Sequence, residues 1–148
     1  MAYGRLLGNL FATHLQDYYQ QHPECLPEAI IPVPLSLKRM SERGFNQAER
    51  IAKPIGKELG LPILRNACHR KRHTAPQLSL PAKDRHKNLL NAFEIKNSLT
   101  LNGRPIEHVA LIDDVITTAA TLESLATEVK RVGVKTVTLW GVARTPLN

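Results

Sequence analysis

The chain has two cysteines, Cys25 and Cys68, and no CxxC pair among its 148 residues. Two distant thiols make no disulfide framework, and the usual signature of a zinc ribbon is missing. Cys68, His69 and His73 stand near one another, but they fall short of the four ligands that a closed zinc site needs. A small half-buried thiol beside solvated histidines is the plainer reading. Aromatic residues make up 5% of the sequence. None is interleaved with the basic run Arg70-Lys71-Arg72, as a base-stacking platform would require. No apolar run approaches the roughly 18 residues of a membrane span, so no membrane insertion is expected. The opening stretch MAYGRLLGNLFATHLQDYYQ is interrupted by Asn9 and His14 and shows no clear cleavage site, unlike a signal peptide. Cytoplasmic residence is the expectation. Acidic residues are the other shortage: 13 against 20 Lys and Arg, a net charge of +7. That balance favours anionic partners, either a phosphorylated sugar or nucleic acid, without choosing between them.

What the chain does have is the proportions of a globular domain, 43% hydrophobic and 22% charged residues, and one dense string. Residues 109–122 read VALIDDVITTAATL. A short all-apolar run, Val109 to Ile112, suits a strand buried on both faces of a parallel sheet. It meets two adjacent carboxylates, Asp113 and Asp114, and then the small and hydroxylated residues Thr117, Thr118, Ala119, Ala120 and Thr121. Ligands gather beyond the carboxyl ends of strands in open parallel sheets. Acids placed there can take ribose hydroxyls or a hydrated Mg²⁺ ion, and backbone N–H groups at a helix start can take a phosphate. The plain alternative is an ordinary strand–turn–helix with Asp114 or Thr117 as cap.

Around the string, apolar spacing predicts a helix over residues 5–20. A strand is expected over 29–34, then a basic loop over 35–44. A helix follows over 45–59, which Pro54 should kink or divide. Asn46 and Gln47 are candidate caps for it. A short strand is expected within 61–70 and a short helix over 82–90. Residues 92–95 should be extended, Asn102-Gly103 should turn, the motif helix should cover 121–132 and the last strand 134–142. Trp140 and the Tyr18-Tyr19 pair read as packing residues. Strands alternating with helices argue for an α/β fold, a parallel sheet flanked by helices.

The IDDVITTAAT string resembles the phosphoribosyl pyrophosphate (PRPP) motif of the type I phosphoribosyltransferases, with Ala119 where that family usually has glycine. Two further segments resemble the competence protein F (ComF/GntX-like) branch. One is Pro32 to Leu35 followed by Arg43 to Gln47 (PVPL and RGFNQ). The other is the series Thr74, Pro76, Gln77, Leu80, Arg85, Asn88 and Phe93. The resemblance implies a type I phosphoribosyltransferase-like domain over residues 29–148, binding PRPP or another phosphorylated ribose with Mg²⁺ near Asp113 and Asp114. It implies that Lys38, Arg39 and Arg43 grip the pyrophosphate, where the alternative is a solvated loop. A closing loop would carry Arg70, Arg72, Thr74, Gln77, Arg85 and Asn88. The ribose would lie on Asp113 and Asp114, and the 5′-phosphate on Thr117 to Thr121.

Residues 1–28 are expected to be an N-terminal helical segment and a partial hood, since the sequence ends soon after its last strand. The zinc module that the branch commonly carries upstream has no counterpart in these residues, so either the start is truncated or this member is minimal. The resemblance also implies a link to competence, the uptake or use of external DNA, with nucleic acid or a competence-machinery protein as candidate partner. A transferase passing the phosphoribosyl group to an acceptor is one expectation. A PRPP-sensing or nucleic-acid-binding accessory protein on the same fold is the other.

Overall fold

A computed structural model of the protein describes residues 2–35, 37–71, 92–116 and 119–144. Its centre is a three-stranded parallel sheet in the order β1 (Ala29–Pro32), β6 (His108–Ile116) and β7 (Thr136–Arg144). Register runs from Ala29 opposite Val109 to Pro32 opposite Ile112, and from His108 opposite Thr136 to Ile116 opposite Arg144. The chain around Ile63 adds a parallel bridge to Ile30 on the outer side of β1. Glu28 fastens the start of the central strand: its carboxylate accepts from the backbone N–H groups of Glu107 and His108 at 2.7 and 2.8 Å.

The strands send alternate side chains to opposite faces, and each face has its own core. Ile30, Ala110, Ile112 and Trp140 pack with Ala12, Leu15 and Tyr19 of α1 (Ala2–Gln21) and with Ile51, Ala52 and Ile55 of α3 (Gln47–Leu59). Ala29, Ile31, Val109 and Leu111 pack with Leu122, Leu125 and Val129 of α4 (Ala120–Arg131), and with Cys68 and Phe93 of the antiparallel pair β2 (Cys68–Arg70) and β3 (Phe93–Ile95). A second antiparallel pair, β4 (Thr100–Leu101) and β5 (Arg104–Pro105), turns at Asn102-Gly103, both at positive φ. The turn expected there is present, and the last strand is displaced by two residues.

Three expectations need correction. The segment after β1 is not a loop throughout: α2 (Leu37–Arg43) occupies most of it and stops at Gly44, which sits at φ 71° with its N–H on the Met40 carbonyl at 2.7 Å. Pro54 does not divide α3, which runs through it as one helix. Pro54 instead lies close against α1, for a Cβ on Gly8 would meet its ring carbon at 2.6 Å. The motif strand does not end at Ile112 but continues through both acids to Ile116, because β7 goes on pairing as far as Arg144. The expected helix over 82–90 lies outside the described residues. No helix among the described residues is long and apolar enough to cross a membrane.

Candidate functional site

The carboxyl ends of β1 and β6 gather several of the described residues singled out in the sequence. Asp113 and Asp114 are half-buried on β6. Asp113 receives the Asp114 backbone N–H on its own carboxylate at 2.9 Å, and Asp114 receives that of Val115 at 2.8 Å. These local bonds fix both carboxylates against the strand. Burial is the main force on Asp113 and pushes its carboxyl up to about 6. The neighbouring Asp114 adds to the rise, while the Arg70 charge opposes it.

Arg70 was expected on the closing loop, yet it stands on β2 and is half-buried. Its guanidinium lies 5.2 Å from the centre of the Phe93 ring. Burial and then the Arg39 charge draw its pKa down, with Asp113 pulling the other way. So Arg39 from α2, Arg70 from β2 and Asp113 from β6 share one electrostatic field. The Arg70 Nε is fully buried and has no hydrogen-bond partner among the described residues, an uncommon condition for a buried donor.

Asp114 opens to the other side. With Arg43, Phe45, Gln47, Leu7, Ile51, Val115 and Val142 it lines a cleft of about 470 Å³ between α1, α3 and the strand ends. Sequence reasoning did not select Phe45 or Gln47 as lining residues. The only signal for them was their place in the RGFNQ segment. That segment also has a structural task. Asn46 caps α3 by accepting from the Ala48 N–H at 3.0 Å, and its amide donates to the Val33 carbonyl at 3.0 Å, tying the helix start to the end of β1. Gln47, the other candidate cap, is the first residue of the helix.

Ala119 stands at φ −68° in the right-handed region, so alanine there carries no backbone strain. Ala119, the N-cap of α4, offers no side-chain cap, and the N–H groups of a helix's first turn are a ready place for an anion. Lys38 is placed on α2. Arg72, Thr74, Gln77, Arg85, Asn88, Thr117 and Thr118 lie outside the described residues. The two thiols are unpaired: Cys25 is exposed, and Cys68 is buried with its thiol pushed up to about 12 by burial. Among the described residues no three metal-binding side chains converge.

No family model matches the sequence. The chain is 41% identical to competence protein F of Haemophilus influenzae over 140 residues, which cover 95% of this chain and 60% of that protein. It is 38% identical to the DNA utilization protein YhgH of Escherichia coli K12 over 120 residues, 81% of this chain and 51% of that protein. It is 30% identical to competence protein ComFC of Streptococcus pneumoniae over 139 residues, 94% of this chain and 57% of that protein. The chain thus spans only part, 51% to 60%, of these curated relatives. In fold it is similar to the Trypanosoma cruzi hypoxanthine phosphoribosyltransferase, with TM-score 0.57, 13% identity, and coverage of 97% of this chain and 74% of that one. The adenine phosphoribosyltransferase of Saccharomyces cerevisiae is comparable, with TM-score 0.55, 16% identity, and coverage of 94% and 66%. Over most of its length the chain is similar in sequence to competence protein F and its relatives, and its fold is that of the type I phosphoribosyltransferases.

Proposed function

We propose that the chain binds a phosphorylated ribose carrying pyrophosphate, PRPP itself, at the carboxyl ends of β1 and β6, with Mg²⁺, and that this binding serves the use of external DNA. The observation that carries the reading is the arrangement around Asp113: a half-buried carboxylate pair on one strand, faced by Arg70, whose Nε lacks a partner among the described residues. A phosphate would balance the Arg39 and Arg70 charges, which act on one another. The names of the relatives, which concern competence and DNA utilization, support the link to DNA.

In this reading Asp113 and Asp114 accept from the ribose hydroxyls. The N–H groups at the start of α4, from Ala119 to Thr121, hold the 5′-phosphate. Arg39 and Arg70 face the pyrophosphate, and Arg43 stands across the cleft from Asp114. Two carboxylates without a third ligand suit Mg²⁺, which commonly takes one or two carboxylates and completes its shell with water and substrate phosphates. Bound there, it would neutralise charge on a departing pyrophosphate. If transfer occurs, the apolar cleft beside Asp114 is where an acceptor can approach the sugar.

Calorimetric titration with PRPP, with and without Mg²⁺, tests the reading on the wild type and on the Asp113→Asn/Asp114→Asn double variant. Expected is Mg²⁺-dependent binding that the folded double variant loses. A folded double variant that still binds would remove these acids from the site. A folded wild type that does not bind would remove PRPP.

A further inference from the structure

A strongly basic groove lies away from the strand ends, between α1 and α3. Its cavity of about 670 Å³ is lined by Arg5 and Asn9 of α1 and by Arg50, Lys53, Pro54 and Lys57 of α3. Four of these six side chains are cations, and no acid joins them among the described residues. The one acid of α3's first turn, Glu49, is turned to Arg65, with the two charges 3.2 Å apart.

Helix geometry builds the groove. Arg50, Lys53 and Lys57 stand three and four residues apart and so share one face. They span about 10 Å along the axis. Gly8 allows the close approach at Pro54, because a Cβ there would meet the Pro54 ring at 2.6 Å and the Ile51 carbonyl at 3.1 Å. The same approach sets Arg5 and Asn9 alongside the cationic row. Arg50 is held in place by the Phe45 ring, 3.9 Å from its guanidinium carbon.

We propose that this α1–α3 groove binds the phosphodiester backbone of a nucleic-acid strand. The charges form a row rather than converging on a point, as a groove that tracks the successive phosphates of a strand requires. Asn9 and the guanidinium groups donate hydrogen bonds, as backbone contacts require. Among the described residues no aromatic ring lines the groove to stack on a base, so the contact is independent of sequence. The groove does not depend on the phosphoribosyl site, and its test is separable from PRPP binding.

The test is fluorescence anisotropy with a labelled oligothymidylate, titrated at NaCl concentrations from about 50 to 300 mM, where each phosphate contact to a single strand contributes about 0.7 to the slope of log affinity against log salt. Lys53 and Lys57 are both exposed, so Lys53→Ala/Lys57→Ala removes charge without disturbing a core. The expected results are a slope shallower by about 1.4, binding weakened about tenfold at low salt, and unchanged PRPP binding. Arg5→Ala should reduce the slope by about 0.7 from the facing helix. Lys130→Ala/Lys135→Ala removes the same charge elsewhere and should leave the slope alone. The proposal is overturned by absence of oligonucleotide binding at 50 mM salt, by an unchanged slope in the groove variant, or by an equal loss in the Lys130/Lys135 control. Displacement of the oligonucleotide by tripolyphosphate at equal charge concentration would also overturn it, by showing a compact polyphosphate site.

Discussion

Asp113 is where stability and the proposed activity pull apart. Its carboxyl is raised to about 6 from an ordinary 3.8, first by burial. The folded chain therefore holds this proton more tightly than the unfolded chain. Stability from this group is full below pH ~4 and is lost as pH rises through about 6. Asp113→Asn removes the cost of a half-buried charge. With a discount for its partial exposure, the variant should be more stable by about 1–2 kcal/mol at pH 8 and little changed at pH 4. Urea unfolding at both pH values reads this out, and equal stability at pH 8 would show that the carboxylate is well solvated. Arg70→Ala should raise the Asp113 pKa further, since it takes away the one charge that holds it down. A ¹³C carboxyl titration would follow the change, and a fall in the midpoint would contradict the placement of Arg70. The acids were legible because a single string carries both, with their strand and helix. Arg70 was picked out only as a closing-loop cation. That it acts on Asp113 from a different strand could not be read, because in sequence it is one member of a basic run beside a long polar segment. At Ala119 the residue type alone could not say whether the position needs the positive φ that glycine favours, and φ −68° shows that it does not.

At the scale of elements, packing decided what periodicity could not. α1, α3 and α4 announce themselves by apolar faces. α2 does not, because Lys38, Arg39, Ser41, Glu42 and Arg43 leave it only Leu37 and Met40 as apolar residues. The length of β6 was hidden for a different reason: carboxylates look like a strand's end, but pairing of Asp113 with Gly141 and Val115 with Ala143 carries the strand on. A Cβ at Gly141 would meet the Ile116 side chain, which would have to turn aside. Two substitutions probe the α3 junction. Asn46→Ala removes the helix cap and the bond to the Val33 carbonyl together, and should cost about 1–2 kcal/mol in urea unfolding. A cost near zero would mean water replaces both. Gly8→Val forces α1 off Pro54 and the Ile51 backbone, and should cost about 1–3 kcal/mol as an overpacked contact.

At the scale of the whole molecule, helix α1 of the N-terminal segment lies on the sheet through the same core that α3 uses: Ala12, Leu15 and Tyr19 pack with Ile30, Ile51, Ile55, Ala110 and Ile112. Trp140 is the single tryptophan, 4% exposed on β7, with ring centres of Phe11 and Tyr19 of α1 at 6.4 and 6.2 Å. It reports on the contact of α1 with the sheet, whereas far-UV circular dichroism follows all the helices. A core shared in this way couples the two, so thermal or urea unfolding followed by Trp140 fluorescence and by circular dichroism should give coincident transitions. Leu15→Ala, a buried truncation on α1, should shift both curves together by the equivalent of about 2–4 kcal/mol. If fluorescence changes before the dichroism, or Leu15→Ala moves the fluorescence alone, then α1 opens as a separate unit. The cleft beside Asp114 and the basic groove at Arg5 would then be assembled only when that helix is down.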